Sequence, residues 1–144
     1  MTGTLLISNG VAIVLFNPRA THSFIPYSFA KSCSLELESL DLNLTMATPV
    51  GKIVVCTLVV RRCPVTIKGH IMPTNLVIFE MSGFDVILGM DWLSMYHACV
   101  DCFHKEVFRL SGEEEFKFYG DQTINTPKLI SALHVTRLIK KGYL

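Results

Sequence analysis

The sequence predicts a mostly β domain carrying one or two short helices. Three observations lead there. Apolar and β-branched residues fall in short runs rather than in long 3.6-residue periods, as in "VAIVLF", "KIVVCTLVV" and "DVIL". Turn-forming groups punctuate these runs: Asn9-Gly10, Pro49-Val50-Gly51 and Lys68-Gly69. Helical spacing is confined to "SFIPYSFAKSCSL", "MDWLSMYHA" and the tail. A length of 144 residues suits one domain. It is assigned to 1–120, with 121–144 as a C-terminal linker.

Taken in order, "TLLISNGVAIVLF" reads as a hairpin about Asn9-Gly10, a pair suited to the two positive φ angles of a type I′ turn. Its second strand delivers Asn17. A short helix follows, with Pro26 tolerated in its first turn. Leu40, Leu42 and Leu44 alternate with polar residues and predict a strand, which Pro49-Val50-Gly51 turns back into a β-branched return. "CPVTIKGHIMPTNLVIF" continues in strands around Lys68-Gly69. "FDVILG" is a short apolar strand ending in glycine. A short helix near the C-terminal part then places Trp92, Leu93 and Tyr96 on one face, with Asp91 near its N-terminal dipole. "ACVDCFHKEVFRL" and "EEFKFYG" form a last hairpin, with Glu113-Glu114-Glu115 as its solvated turn. The tail shows helical spacing at Leu129, Leu133 and Leu138.

Half of the residues are apolar, 17% are charged and the mean hydropathy is +0.42. A small domain hides only part of its apolar surface, so this excess predicts a partner, most simply a second copy. The net charge of +1 gives no electrostatic case for nucleic acid. Five cysteines, an odd number, argue against a disulfide framework. The apolar N-terminus has no basic leader and is interrupted by Asn9-Gly10, and no stretch approaches the roughly 20 apolar residues of a membrane span. An intracellular, cytoplasmic location with free thiols is expected, and the Asn43-Leu44-Thr45 sequon is then idle. Met1 at the head of the chain favours a stand-alone reading frame.

Two pieces share a form, an apolar strand run into a sharp turn: Ile13-Val14-Leu15-Phe16 into Asn17-Pro18-Arg19-Ala20-Thr21, and Val86-Ile87-Leu88-Gly89 into a helix. With "GTLLISNGVAIVLF", "ATHSFI", "TPVGK", "CPVTI", "MSGFDVILGMDWL" and "DC", they make the chain resemble the retropepsins, the retroviral-type aspartic proteases. The nearer resemblance is to the protease segment of plant gypsy-type LTR retrotransposon polyproteins. There "ISALHVTRLIKKGYL" resembles the stretch before reverse transcriptase. The resemblance implies a β-barrel with a flap hairpin whose tip falls at Pro49, Val50 and Gly51, and a structural motif at Ile87, Leu88, Gly89, Asp91 and Trp92. It also implies a homodimer in which each copy supplies one aspartate from an Asp-Ser/Thr-Gly turn. Like charges a few Å apart share one proton, so one carboxyl acts as base on water and the other as acid.

This sequence departs from the family at the triplet itself, while both flanks match. Asn17 stands at the catalytic aspartate's position, and an amide neither ionises nor shuttles a proton near neutral pH. Pro18 lacks the hydroxyl that ties the two turns together across the family's dimer axis, and it lacks a backbone N–H. Arg19 replaces a glycine that permits unusual backbone angles, and two copies near one dyad repel. Deamidation of Asn17 needs the next backbone nitrogen as nucleophile, and proline's carries no hydrogen. The expectation is therefore a pseudoprotease, a non-enzyme that binds an extended peptide or host protein by strand addition along Ala20, Thr21, Pro49, Val50 and Gly51. The alternative is an active homodimeric aspartic endopeptidase using a substitute acid, for which Asp85 and Asp91 are the nearest carboxyls.

Other features carry less. "HACVDCFH" places His97, Cys99, Cys102 and His104 at zinc-like spacing. Along a strand, however, Cys99 and Cys102 point to opposite faces. No metal and no cofactor are expected. Cys33, Cys56 and Cys63 are read as packing residues, Trp92 as a core anchor and His22 as a half-exposed polar residue.

Overall fold

The computed structural model describes residues 1–47, 50–101, 104–109 and 116–120. The tail 121–144, the turn at Glu113-Glu114-Glu115, and Pro49 and Cys102 lie outside them. Strands β1 (Thr2–Ile7) and β2 (Gly10–Phe16) pair antiparallel from Thr2↔Leu15 to Ile7↔Gly10. The hairpin forms, but its turn sits one residue earlier than the Asn9-Gly10 pair predicts. Ser8 and Asn9 are the central residues, with Ser8 at φ 55, and Gly10 opens β2. Gly10 in β2 packs closely on Cys33, since a Cβ there would lie 2.6 Å from Cys33 Sγ.

After β3 (Phe24–Ile25), helix α1 (Tyr27–Ser32) starts behind Pro26, whose φ of −72° and missing N–H suit the N-cap position. Next comes the long hairpin of β4 (Glu38–Ala47) and β5 (Ile53–Cys63). Its register breaks between Ser39 and Leu44. That break overrides the simple alternation of leucines: Leu44 is buried, but Leu42 is 83% exposed. Strands β6 (Val65–Ile67) and β7 (His70–Ile71) meet across Lys68 and Gly69, at φ 52 and 82, where the sequence places a turn. Then follow β8 (Thr74–Ile78), β9 (Val86–Leu88) and helix α2 (Met90–Met95). The chain ends in β10 (Cys99–Asp101), β11 (Glu106–Arg109) and β12 (Phe116–Tyr119), a three-stranded sheet where the sequence suggests a single hairpin.

The first nine strands make one mixed sheet in the order β4-β5-β8-β3-β9-β2-β1-β6-β7. It is mostly β as expected, but it is not a closed barrel. Closure needs two continuous edges, whereas β7 has two residues and β4 is interrupted after Ser39. The larger buried cluster joins β1, β2, β6 and β9 to α2 through residues such as Ile7, Val14, Phe16, Val65 and Trp92. A second gathers Leu15, Phe24, Met46, Val59 and Ile87 under the long hairpin. Trp92 is fully buried, with its ring tilted against Phe16 at 6.0 Å and Tyr96 at 5.6 Å between centroids. Its Nε1 donates to the Met72 carbonyl at 3.1 Å, which satisfies the one polar atom a buried indole brings.

Candidate functional site

The two strand-to-turn pieces of the sequence meet side by side. β2 and β9 run parallel, with Val14↔Val86, Leu15↔Ile87 and Phe16↔Leu88 paired. Both break at the same level, β2 into Asn17 and β9 into Gly89. The Asn17 N–H donates to the Leu88 carbonyl at 2.9 Å and so continues the ladder by one bond.

Asn17-Pro18-Arg19-Ala20 is a β-turn closed by Ala20 N–H to the Asn17 carbonyl at 3.1 Å. None of its residues has positive φ, which makes it type I. Each residue suits its place. Asn17 Oδ1 accepts from Arg19 N–H at 2.9 Å, the local bond that favours Asn at the first position. Pro18 occupies the second, where its fixed φ fits and its absent N–H is not needed. Arg19 does not strain the backbone, contrary to what the loss of a family glycine suggests, because this turn asks no left-handed residue there. Asn17 is 1% exposed, whereas Pro18 and Arg19 face solvent. The buried group at the centre of the site is thus a neutral amide whose oxygen already holds the turn.

Around it, Ala20 and Gly89 pack backbone to backbone. Met90 N–H donates to the Ala20 carbonyl at 2.7 Å, and a Cβ on Gly89 would lie 2.3 Å from the His22 carbonyl oxygen. Ser23, fully buried, accepts from Gly89 N–H at 3.0 Å and donates to Asp91 Oδ1 at 2.7 Å. The same Oδ1 accepts from Trp92 N–H at 2.8 Å. Ser23 is the site residue that the sequence alone does not single out. The only signal is a small hydroxyl between His22 and an apolar pair. Thr21 Oγ1 and His22 Nδ1 lie 2.9 Å apart, and His22 is half-buried.

Both nearby carboxyls are engaged in hydrogen bonds of the fold. Asp91 holds Ser23 and the start of α2. Asp85 Oδ2 accepts from Ile13 N–H at 2.8 Å, while Asp85 N–H donates to the Ile13 carbonyl at 2.8 Å. The structure therefore brings Asn17, Pro18, Arg19, Ala20 and Thr21 together with Ile87, Leu88, Gly89, Asp91 and Trp92.

The tip of the long hairpin stands apart from that cluster. Gly51 has φ +86 and nothing within 4 Å of where its Cβ would be, and Val50 is 81% exposed. Ile53 and Val55 behind it are 72% and 52% exposed. An apolar groove of about 420 Å³, lined by Val54, Cys56, Leu58, Ile78, Phe79 and Glu80, runs along β5 and the end of β8. Burial holds the Cys56 and Cys63 thiols up at about 11, which keeps them as packing groups rather than nucleophiles. No helix among the described residues is long and apolar enough to cross a membrane.

Comparison with known proteins adds three findings. The family described as retroviral aspartyl protease matches residues 1–115. The UBA domain-containing protein Mud1 of Schizosaccharomyces pombe is 30% identical over 104 residues, which cover 71% of this chain. The match spans 29% of Mud1. The crystal structure of the retroviral protease-like domain of Ddi1 from Leishmania major is similar with a TM-score of 0.54, covering 74% of this chain and 84% of that one. At 16% identity, that likeness speaks for the fold alone.

Proposed function

The chain belongs to the retroviral aspartyl protease family, and from that premise we propose that it is a member without catalytic machinery, whose work is binding. The observation that carries this reading is Asn17. It stands where the family's aspartate is expected, buried and with its side-chain oxygen committed to Arg19 N–H. An amide there cannot serve as general base on a water. Asp85 and Asp91 are each tied into backbone and hydroxyl bonds, which argues against either as a replacement.

The ligand class proposed is an extended peptide or a segment of a host protein, taken by strand addition in the former cleft. Exposed apolar side chains at Val50, Ile53 and Val55 support a hairpin that closes on such a segment. We further propose a homodimer acting inside the cell and an origin in a plant gypsy-type retrotransposon polyprotein. The apolar composition supports the first and the "ISALHVTRLIKKGYL" tail supports the second.

The test is a peptide-library cleavage assay, from acid to neutral pH, on the chain beside the triple revertant Asn17→Asp, Pro18→Ser, Arg19→Gly. Cleavage by the revertant alone supports the pseudoprotease. Cleavage by the natural chain that disappears with Asp85→Asn or Asp91→Asn overturns it. Sedimentation across a range of concentrations tests the dimer.

A further inference from the structure

We propose that Asp101, His104 and Glu106, where β10 and β11 meet, bind a divalent transition-metal ion. This site does not depend on the peptide-binding reading. It also differs from the zinc spacing in the sequence, because it draws its donors from two carboxylates and one imidazole rather than from cysteines.

The three residues each bring a potential ligand atom to within 4.8 Å of the other two. Two features of the fold put them there. First, Asp101 and Glu106 are directly opposed in the β10–β11 ladder. Like charges at facing positions destabilise a strand pair, and a cation between them turns that repulsion into attraction. Second, His104 lies back against Asp101. His104 N–H donates to Asp101 Oδ1 at 3.1 Å, and the ring Nδ1 lies 2.6 Å from Asp101 Oδ2. The imidazole is therefore positioned by the hairpin before any ion arrives.

An ion bound at about 2.0–2.2 Å from nitrogen and oxygen holds its ligand atoms roughly 3–3.6 Å apart. His104 Nδ1 and Asp101 Oδ2, now 2.6 Å apart, open to that spacing, and the remaining donor, within 4.8 Å, adjusts to it by small side-chain rotations. The His104 and Asp101 side chains are 64% and 32% exposed, so those rotations meet little resistance and the ion has open access. An imidazole with two carboxylates suits zinc, cobalt or manganese better than magnesium or calcium, which favour all-oxygen sets. Water completes the coordination. Cys99 lies two residues before Asp101 on the same strand face and is exposed, which makes it the natural competitor for a thiophilic ion.

The experiment is a calorimetric titration of the metal-stripped full chain with Zn²⁺, repeated with Co²⁺ while recording its visible and near-ultraviolet absorption. His104→Ala, Glu106→Gln and Cys99→Ala are carried in parallel, with thermal melting to show that each variant is folded. One ion per chain is expected. His104→Ala weakens binding by at least about tenfold and Glu106→Gln severalfold, Cys99→Ala leaves it unchanged, and the Co²⁺ spectrum shows no thiolate charge-transfer band. Absence of binding, equal binding by folded His104→Ala, or a thiolate band that vanishes in Cys99→Ala would each overturn the site.

Discussion

Replacing Asp91 by alanine separates a structural carboxylate from a catalytic one. The Asp91 Oδ1 atom accepts from Ser23 Oγ at 2.7 Å and from Trp92 N–H at 2.8 Å, and Ser23 Oγ in turn accepts from Gly89 N–H at 3.0 Å. Alanine removes two bonds to a charged acceptor and leaves the buried Ser23 hydroxyl proton without that partner. Bonds to charged groups contribute about 1.5–3 kcal/mol each in buried settings. Asp91 is only half-buried, so the expected total loss is about 2–4 kcal/mol. For a domain of ordinary stability, about 5–15 kcal/mol, the variant stays folded but with a clearly lower urea midpoint. Asp91→Asn keeps an acceptor oxygen at the same place and should lose about 1 kcal/mol. Ser23→Ala combined with Asp91→Ala should cost less than the sum of the two single changes, because both act on one network. The measurement is urea unfolding followed by Trp92 fluorescence at one fixed protein concentration. An Asp91→Ala loss under about 0.5 kcal/mol, or full additivity with Ser23→Ala, refutes the network as the reason for this carboxylate.

Gly89→Ala should destabilise by about 1–3 kcal/mol or more, since its Cβ would meet the backbone oxygens of His22 and Ala20 at 2.3 and 2.7 Å; thermal melting reads it, and a variant melting like the parent refutes the close approach. Asn17→Asp keeps the acceptor for Arg19 N–H but buries a carboxylate, so its urea midpoint should fall at neutral pH and recover toward the parent's in acid, whereas Asn17→Ala should lose about 1–2 kcal/mol with that bond. Cys56 and Cys63 rise from 9.0 in the unfolded chain to about 11 when buried, so the folded state retains their protons longer. That stabilisation is complete below pH 9 and is lost as pH rises toward about 11, and a flat urea midpoint over that window contradicts it. At pH 8, alkylation followed by peptide mapping should mark exposed Cys99 well before either buried thiol.

Much of the architecture is local chemistry and is therefore legible in the sequence. The turn at Lys68-Gly69 needs two positive φ angles, and Gly69 supplies one of them without strain. Pro26 starts a helix where a missing N–H is harmless. The altered triplet declares itself because Asn, Pro and Arg differ from the family pattern in ionisation, hydroxyl and backbone freedom, which are properties of the residues alone. Placement across the chain follows other rules. The turn lies at Ser8-Asn9, before a Gly10 that packs on Cys33, and Leu42 turned outward because a register break changed the phase of β4. That Asn17 continues the ladder of β9, that Ser23 links Gly89 to Asp91, and that Glu106 faces Asp101 all depend on which strands pair and in what register. Periodicity records the face on which a residue lies but not its neighbour on the next strand. The residue types at positions 17 to 19 are thus properties of the sequence, whereas the partners of Asp85 and Asp91, the Ile13 backbone and the Ser23 hydroxyl, were decided only when strands distant along the chain came together.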